Sequence, residues 1–181
     1  LWVRTTLRDP NIRDERGRIH DGLKSHFERI ANGDAFGFDV WLQRELESVP
    51  RAMLVAYQQW IERNREVEAG TRPFSLDDIM PTSSVARIDL ILRVLEEGGI
   101  AADERPRKAA EFLNSEAFHS LPFHLIASSL WAVISMKGNA GQKEPPNRGT
   151  VNDISVVSTL MPYCDAMLID NKCLGLLEDI P

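Results

Sequence analysis

Cysteine is scarce. Cys164 and Cys173 are the two in 181 residues, too far apart for a CxxC pair and without a second pair, so a zinc-ligand pattern is excluded and free thiols in a reducing cytoplasm are the plain reading. Long hydrophobic runs are missing too: nothing approaches the roughly 20 apolar residues that cross a bilayer, so no membrane partner is expected. No basic-then-apolar leader opens the sequence, and Leu1 rather than Met stands first, so a start further upstream is expected. Positive charge is also short. Lys and Arg number 21 against 27 acids, a net charge of −6 that argues against a general nucleic-acid coat. It leaves room for phosphate chemistry in which metal ions supply the positive charge. Repeats, low-complexity tracts, a glycine-rich phosphate loop, a Ser-His-Asp order and a Cys-His nucleophile pair are all lacking.

What is present is helical periodicity over one domain's length. Residues 1–18 carry five arginines without a clear period and read as an exposed segment. Leu1–Thr6 is one of two stretches that could form a strand. Leu23, Phe27 and Ile30 set a helix over Asp21–Ala31. Phe38–Val49 reads as a second helix, and Pro50 suits the first turn of a third that runs towards Ala69. Ser75 and Asp78 read as a cap before a short turn. Ser84–Glu97 is strongly periodic and stops at Gly98-Gly99. Asp103 or Glu104 opens a helix with Ala109, Phe112 and Leu113 on its apolar face. Leu121–Met136 is apolar nearly all round, which requires burial. Gly138–Gly149, with three glycines and Pro145-Pro146, is the clearest loop.

The last thirty residues hold the chemistry. Thr150 or Asn152 can cap a helix whose apolar stripe is Ile154, Val157, Leu160 and Met161, and Pro162 ends it after about ten residues. Ala166–Ile169 is a short continuous apolar run, expected as a strand buried on both faces and central in a parallel sheet. Asp170-Asn171 is its polar exit, and Lys172–Glu178 begins another helix. A helix of ~10 residues spans ~15 Å and four strand residues return ~13 Å. The strand end carrying Asp170 therefore lies beside the helix start carrying Asp153, at the edge where open α/β sheets bind ligands. Hard divalent cations favour such clustered oxygens. Taken singly, Asp153 reads as a dipole partner and Asp170 as a turn residue. Together they read as a metal site. Asp165 falls at the other end of the strand and is structural.

The run from Asn152 to Asp179, NDISVVSTLMPYCDAMLIDNKCLGLLED, resembles the C-terminal signature of uncharacterised bacterial PIN-like proteins, and the preceding SLPFHLIASSLWAVISMKG resembles the helix before it. The resemblance covers about a third of the chain. It implies a helix-rich α/β PIN-like fold with a small parallel sheet. It also implies Mg²⁺ or Mn²⁺ on Asp153 and Asp170 as catalytic carboxylates, and hydrolysis of RNA in the cytoplasm. By position Asp153 matches the third family acid and Asp170 the fourth. The first family acid, in a strand of the type apolar-apolar-Asp-x-Asn, has no counterpart. Either that strand lies upstream or the site is incomplete. Glu45 and Asp89 are weak candidates for the second.

The remaining candidates read as structural. His119 and His124 lie five apart across Pro122 and do not share a helix face, and His20 and His26 are no better placed. Trp2, Trp41, Trp60 and Trp131 are spread as core anchors rather than a stacking platform. Lys137, Lys143 and Arg148, in the loop before Asp153, are solvated charges or guides for a phosphate backbone. The expectation is a single domain over 1–181 acting as a metal-dependent nuclease on RNA, with self-association left open. The rival is a non-catalytic helical interaction module with a degenerate tail of the same kind.

Overall fold

The computed structural model describes residues 25, 27–30, 33, 35–74, 82–142 and 146–181. The strand expected over Leu1–Thr6, the arginine-bearing segment 1–18, the Ser75–Asp78 cap, His20, His26 and Lys143 lie outside them. Two compact units emerge. One joins the described residues up to Leu42 with Ile126–Pro181, and the other is Gln43–Leu125. The elements are α1 (Phe38–Glu68), α2 (Ser83–Glu97), α3 (Arg105–Leu113), α4 (Glu116–His119), α5 (Pro122–Asn139), α6 (Arg148–Leu160), a 3₁₀ turn at Met161–Tyr163, and α7 (Asn171–Glu178). Residues 27–30 are also helical.

Among the described residues there is no strand and no sheet, which corrects the α/β expectation and the PIN-like fold that went with it. The error is specific. Ala166–Ile169 is extended but pairs with nothing described, and it is not buried on both faces. Met167 and Ile169 pack against the core, while Leu168 between them is 104% exposed. Successive side chains of an extended backbone point to opposite sides, so this segment lays one face on helices and gives the other to solvent. A four-residue apolar run does not distinguish that arrangement from a doubly buried strand.

The two helices expected on either side of Pro50 are one. Proline lacks the N–H that would bond the carbonyl four residues back, and it usually breaks a helix. Here its ring is fully buried, and the His124 imidazole faces the main chain of Leu46, whose carbonyl the proline leaves without an N–H. The helix continues for 31 residues.

In the Gln43–Leu125 unit, Met53, Ile88, Leu113 and Phe118 form the core. Thr82 caps α2, its hydroxyl accepting from the Val85 amide at 3.4 Å. The helix stops at Gly99, whose φ of +77° only glycine adopts without strain, and the Ile100 amide closes the turn on the Leu95 carbonyl at 3.0 Å. Pro106 sits in the first turn of α3, where its missing N–H costs nothing.

In the other unit, α5 is buried on most sides, as its composition requires: Leu130, Ala132 and Val133 are 0% exposed. Leu130 and Val133 pack with Ile154 and Val157 of α6 and Cys173 and Leu176 of α7. Full burial of each large side chain contributes about 1.5–3 kcal/mol. This packing brings α7 against α6 and sets where the acids fall.

Candidate metal-binding carboxylates

Asn147, rather than Thr150 or Asn152, caps α6, its side chain accepting from the Thr150 amide at 2.9 Å. Asp153 therefore sits in the second turn, half-buried, beyond the first-turn amides that a dipole partner would face. Pro162 falls within the 3₁₀ turn that follows Leu160. The chain then returns in extended form to Asp170, an exposed residue that caps α7 by accepting from the Cys173 amide at 2.6 Å. The N-cap role explains the residue type: aspartate satisfies an amide that the helix itself leaves unbonded.

Asp153 and Asp170 both lie within electrostatic reach of Cys173. Its thiol is 3% exposed, and burial pushes its pKa up. Asp170 raises it further, and Asp153 adds to the same effect. Both carboxylates thus act on one sulfur, although the sheet that was expected to bring them together is not there. Helix packing does that work: the core contacts of Ile154 and Cys173, each next to or near an acid in sequence, hold α6 against the start of α7.

Asp165 is exposed and does not act on Cys173, in keeping with a place outside the pair. Glu45 and Asp89 belong to the Gln43–Leu125 unit, and Asp89 is bound to Arg93 at 2.7 Å in an i,i+4 ion pair. Lys137 is the ion-pair partner of Asp179. Among the described residues, no group of three or more His, Cys, Asp and Glu is arranged to hold a metal ion.

The donor set nevertheless fits a hard cation. Mg²⁺ and Mn²⁺ take oxygen ligands, and Mg²⁺ commonly uses one or two carboxylates and completes its shell with water.

Sequence reasoning missed a second grouping. His119 and His124 lie with ring centroids 5.9 Å apart, and the Phe118 ring is 4.7 Å from that of His124. The break between α4 and α5, which removed them from a common helix face, is what folds them together. The Nε2 atoms of both are buried without a hydrogen-bond partner.

Comparisons with protein-family models, with curated proteins and with solved structures found no match for this chain.

Proposed function

We propose that the chain binds a divalent cation, Mg²⁺ or Mn²⁺, on Asp153 and Asp170 and hydrolyses phosphodiester bonds, with RNA as the substrate. The observation that carries this reading is the placement of Asp153 on α6 and of Asp170 at the start of α7, two helices packed together through Ile154 and Cys173. A divalent cation offsets the repulsion between two carboxylates that share it. Asp153 and Asp170 would hold the cation. When bound, it would supply an activated water and offset the charge that builds on the phosphate. The resemblance of Pro162–Asn171 to the PIN-like signature is the second support.

The test is a thermal melt with and without Mn²⁺, run beside cleavage of a labelled single-stranded RNA. Mn²⁺ should raise the melting temperature by mass action. Asp153→Asn and Asp170→Asn should each weaken the shift and abolish cleavage, and Asp165→Asn should do neither. Absence of any shift at millimolar Mn²⁺ would remove the metal site from this chain.

One observation favours the rival, a non-catalytic helical interaction module. Asp170 is already engaged as a helix cap, which is a sufficient structural reason for its presence. That reading expects Asp170→Asn, which keeps the cap, to leave every property of the protein unchanged.

A further inference from the structure

A cavity of about 270 Å³ lies within the Ile126–Pro181 unit, walled by α5, α6, α7 and the chain before α6. Among the described residues, those lining it that carry charge are Lys137 and Lys172, and none is a carboxylate. That is notable in a chain of net charge −6. The Asn171 amide and the Thr150 hydroxyl add hydrogen-bonding groups, while Ile134, Pro146 and Leu176 make an apolar wall.

We infer that this cavity binds a phosphomonoester, with the phosphate on Lys172 and Lys137 and the attached apolar or planar body against Ile134, Pro146 and Leu176. The inference stands apart from the metal reading, because neither Asp153 nor Asp170 lines the cavity.

The helix starts nearby do not carry the inference. The Thr150 amide is taken by Asn147 and the Cys173 amide by Asp170, so recognition falls to side chains. Lys172 is exposed and has no ion-pair partner among the described residues. Lys137 is paired with Asp179, but both members are well exposed, at 35% and 45%. Such a pair holds weakly, and a doubly charged phosphate competes with one carboxylate for it.

Gly175 adds to the room in the cavity. It lies inside α7, where glycine weakens a helix relative to alanine. Its φ is not positive, and a Cβ placed on it would meet nothing within 4 Å. Neither backbone conformation nor close packing calls for a glycine. What its missing side chain leaves is space in the cavity it lines.

The experiment is calorimetric titration in EDTA at low salt. The probes are uridine monophosphate, uridine, and a trinucleotide with either a 5′-phosphate or a 5′-hydroxyl. Uridine monophosphate should bind and uridine should not. Lys172→Gln should weaken binding about tenfold, the loss of one charge-assisted contact. Gly175→Leu should abolish it by filling the space. Gly175→Ala, which suits the helix better, should fold at least as well and still weaken binding, which keeps the test valid if the leucine variant does not fold. Preference for the 5′-phosphorylated trinucleotide over the monophosphate would identify a strand end as the source of the phosphate. Preference for the monophosphate would identify a free nucleotide. Equal binding of uridine and its monophosphate, no binding of either phosphate probe at millimolar concentration, or an unchanged affinity in Lys172→Gln would each overturn the inference. Asp153→Asn should bind as wild type in EDTA. A chain that takes up the monophosphate yet shows no Mn²⁺ shift keeps this site and loses the metal site.

Discussion

The imidazole of His124 faces the main chain of Leu46, whose carbonyl Pro50 cannot reach with an N–H of its own. That position places a titratable ring in the core of the Gln43–Leu125 unit. Burial lowers the pKa of His124, the Leu46 main chain works against that, and His119 and Arg87 lower it further. The ring thus resists protonation in the folded chain, while in the unfolded chain it titrates near 6.5. The unfolded state then binds more protons in acid. This contribution to stability is present above pH 6.5 and is lost as pH falls below that value towards the lowered folded pKa. Urea melts taken on either side of pH 6.5 should show the midpoint dropping in acid. His124→Leu should flatten that slope and cost about 1–3 kcal/mol at neutral pH, because the Leu46 carbonyl is left buried with no polar side chain facing it.

Asp170 has two separable roles. Asp170→Ala removes the acceptor for the Cys173 amide and should destabilise the protein by about 1 kcal/mol in urea melts without metal. Asp170→Asn keeps an acceptor of the same shape and should cost much less. Both should weaken the Mn²⁺-dependent shift. A variant pair that differed in the shift but not in metal-free stability would reverse this assignment.

The thiols report on the acid pair without any metal. Cys164 is exposed and Cys173 is buried, so Cys164 should be alkylated first. In the double variant Asp153→Asn/Asp170→Asn, the pH needed to alkylate Cys173 should move down, yet stay above that of an ordinary thiol, because burial is the larger cause of its raised pKa. An unmoved pH–rate profile would mean that the carboxylates do not act on the sulfur.

The extended return before α7 has one wet face. Leu168→Ser should change stability by less than about 0.5 kcal/mol, as surface substitutions do. Met167→Ser and Ile169→Ser should each cost roughly 1–2 kcal/mol, part of the penalty for truncating a fully buried side chain. Equal costs at all three positions would restore the doubly buried strand.

The helices were legible where a stripe and a stop signal agreed. Val85 and Ile88 on one face with Gly98-Gly99 behind them place α2 nearly to the residue. The all-round apolarity of Leu121–Met136 gives the burial of α5. Pro50 misled because proline's local cost is fixed by its own chemistry, while the imidazole facing Leu46 comes from His124, 74 positions away. The segment Ala166–Ile169 misled because an apolar run records propensity and not which neighbours exist. The pairing of Asp153 with Asp170 was expected for a geometric reason that does not hold, through a sheet. With no sheet among the described residues that premise is gone, and the pairing stands as a proposal on helix packing instead. Lys172 and Gly175 gave no signal in sequence, since a cavity is made by three helices and belongs to none of them.

Asn139 closes α5 with one amide used in two directions. Its oxygen accepts from the Trp41 indole at 2.9 Å, and its nitrogen donates to the Ile30 carbonyl at 2.5 Å. The contact to Ile30 needs the amide rather than the acid, because an aspartate there would turn an oxygen towards the Ile30 carbonyl. Slow chemical ageing of this side chain by deamidation would therefore convert a donor into a repelling acceptor. It would strip the partner from one half of the Trp41–Ile30 tie, and stored protein would lose order there before any bond in its backbone is cut.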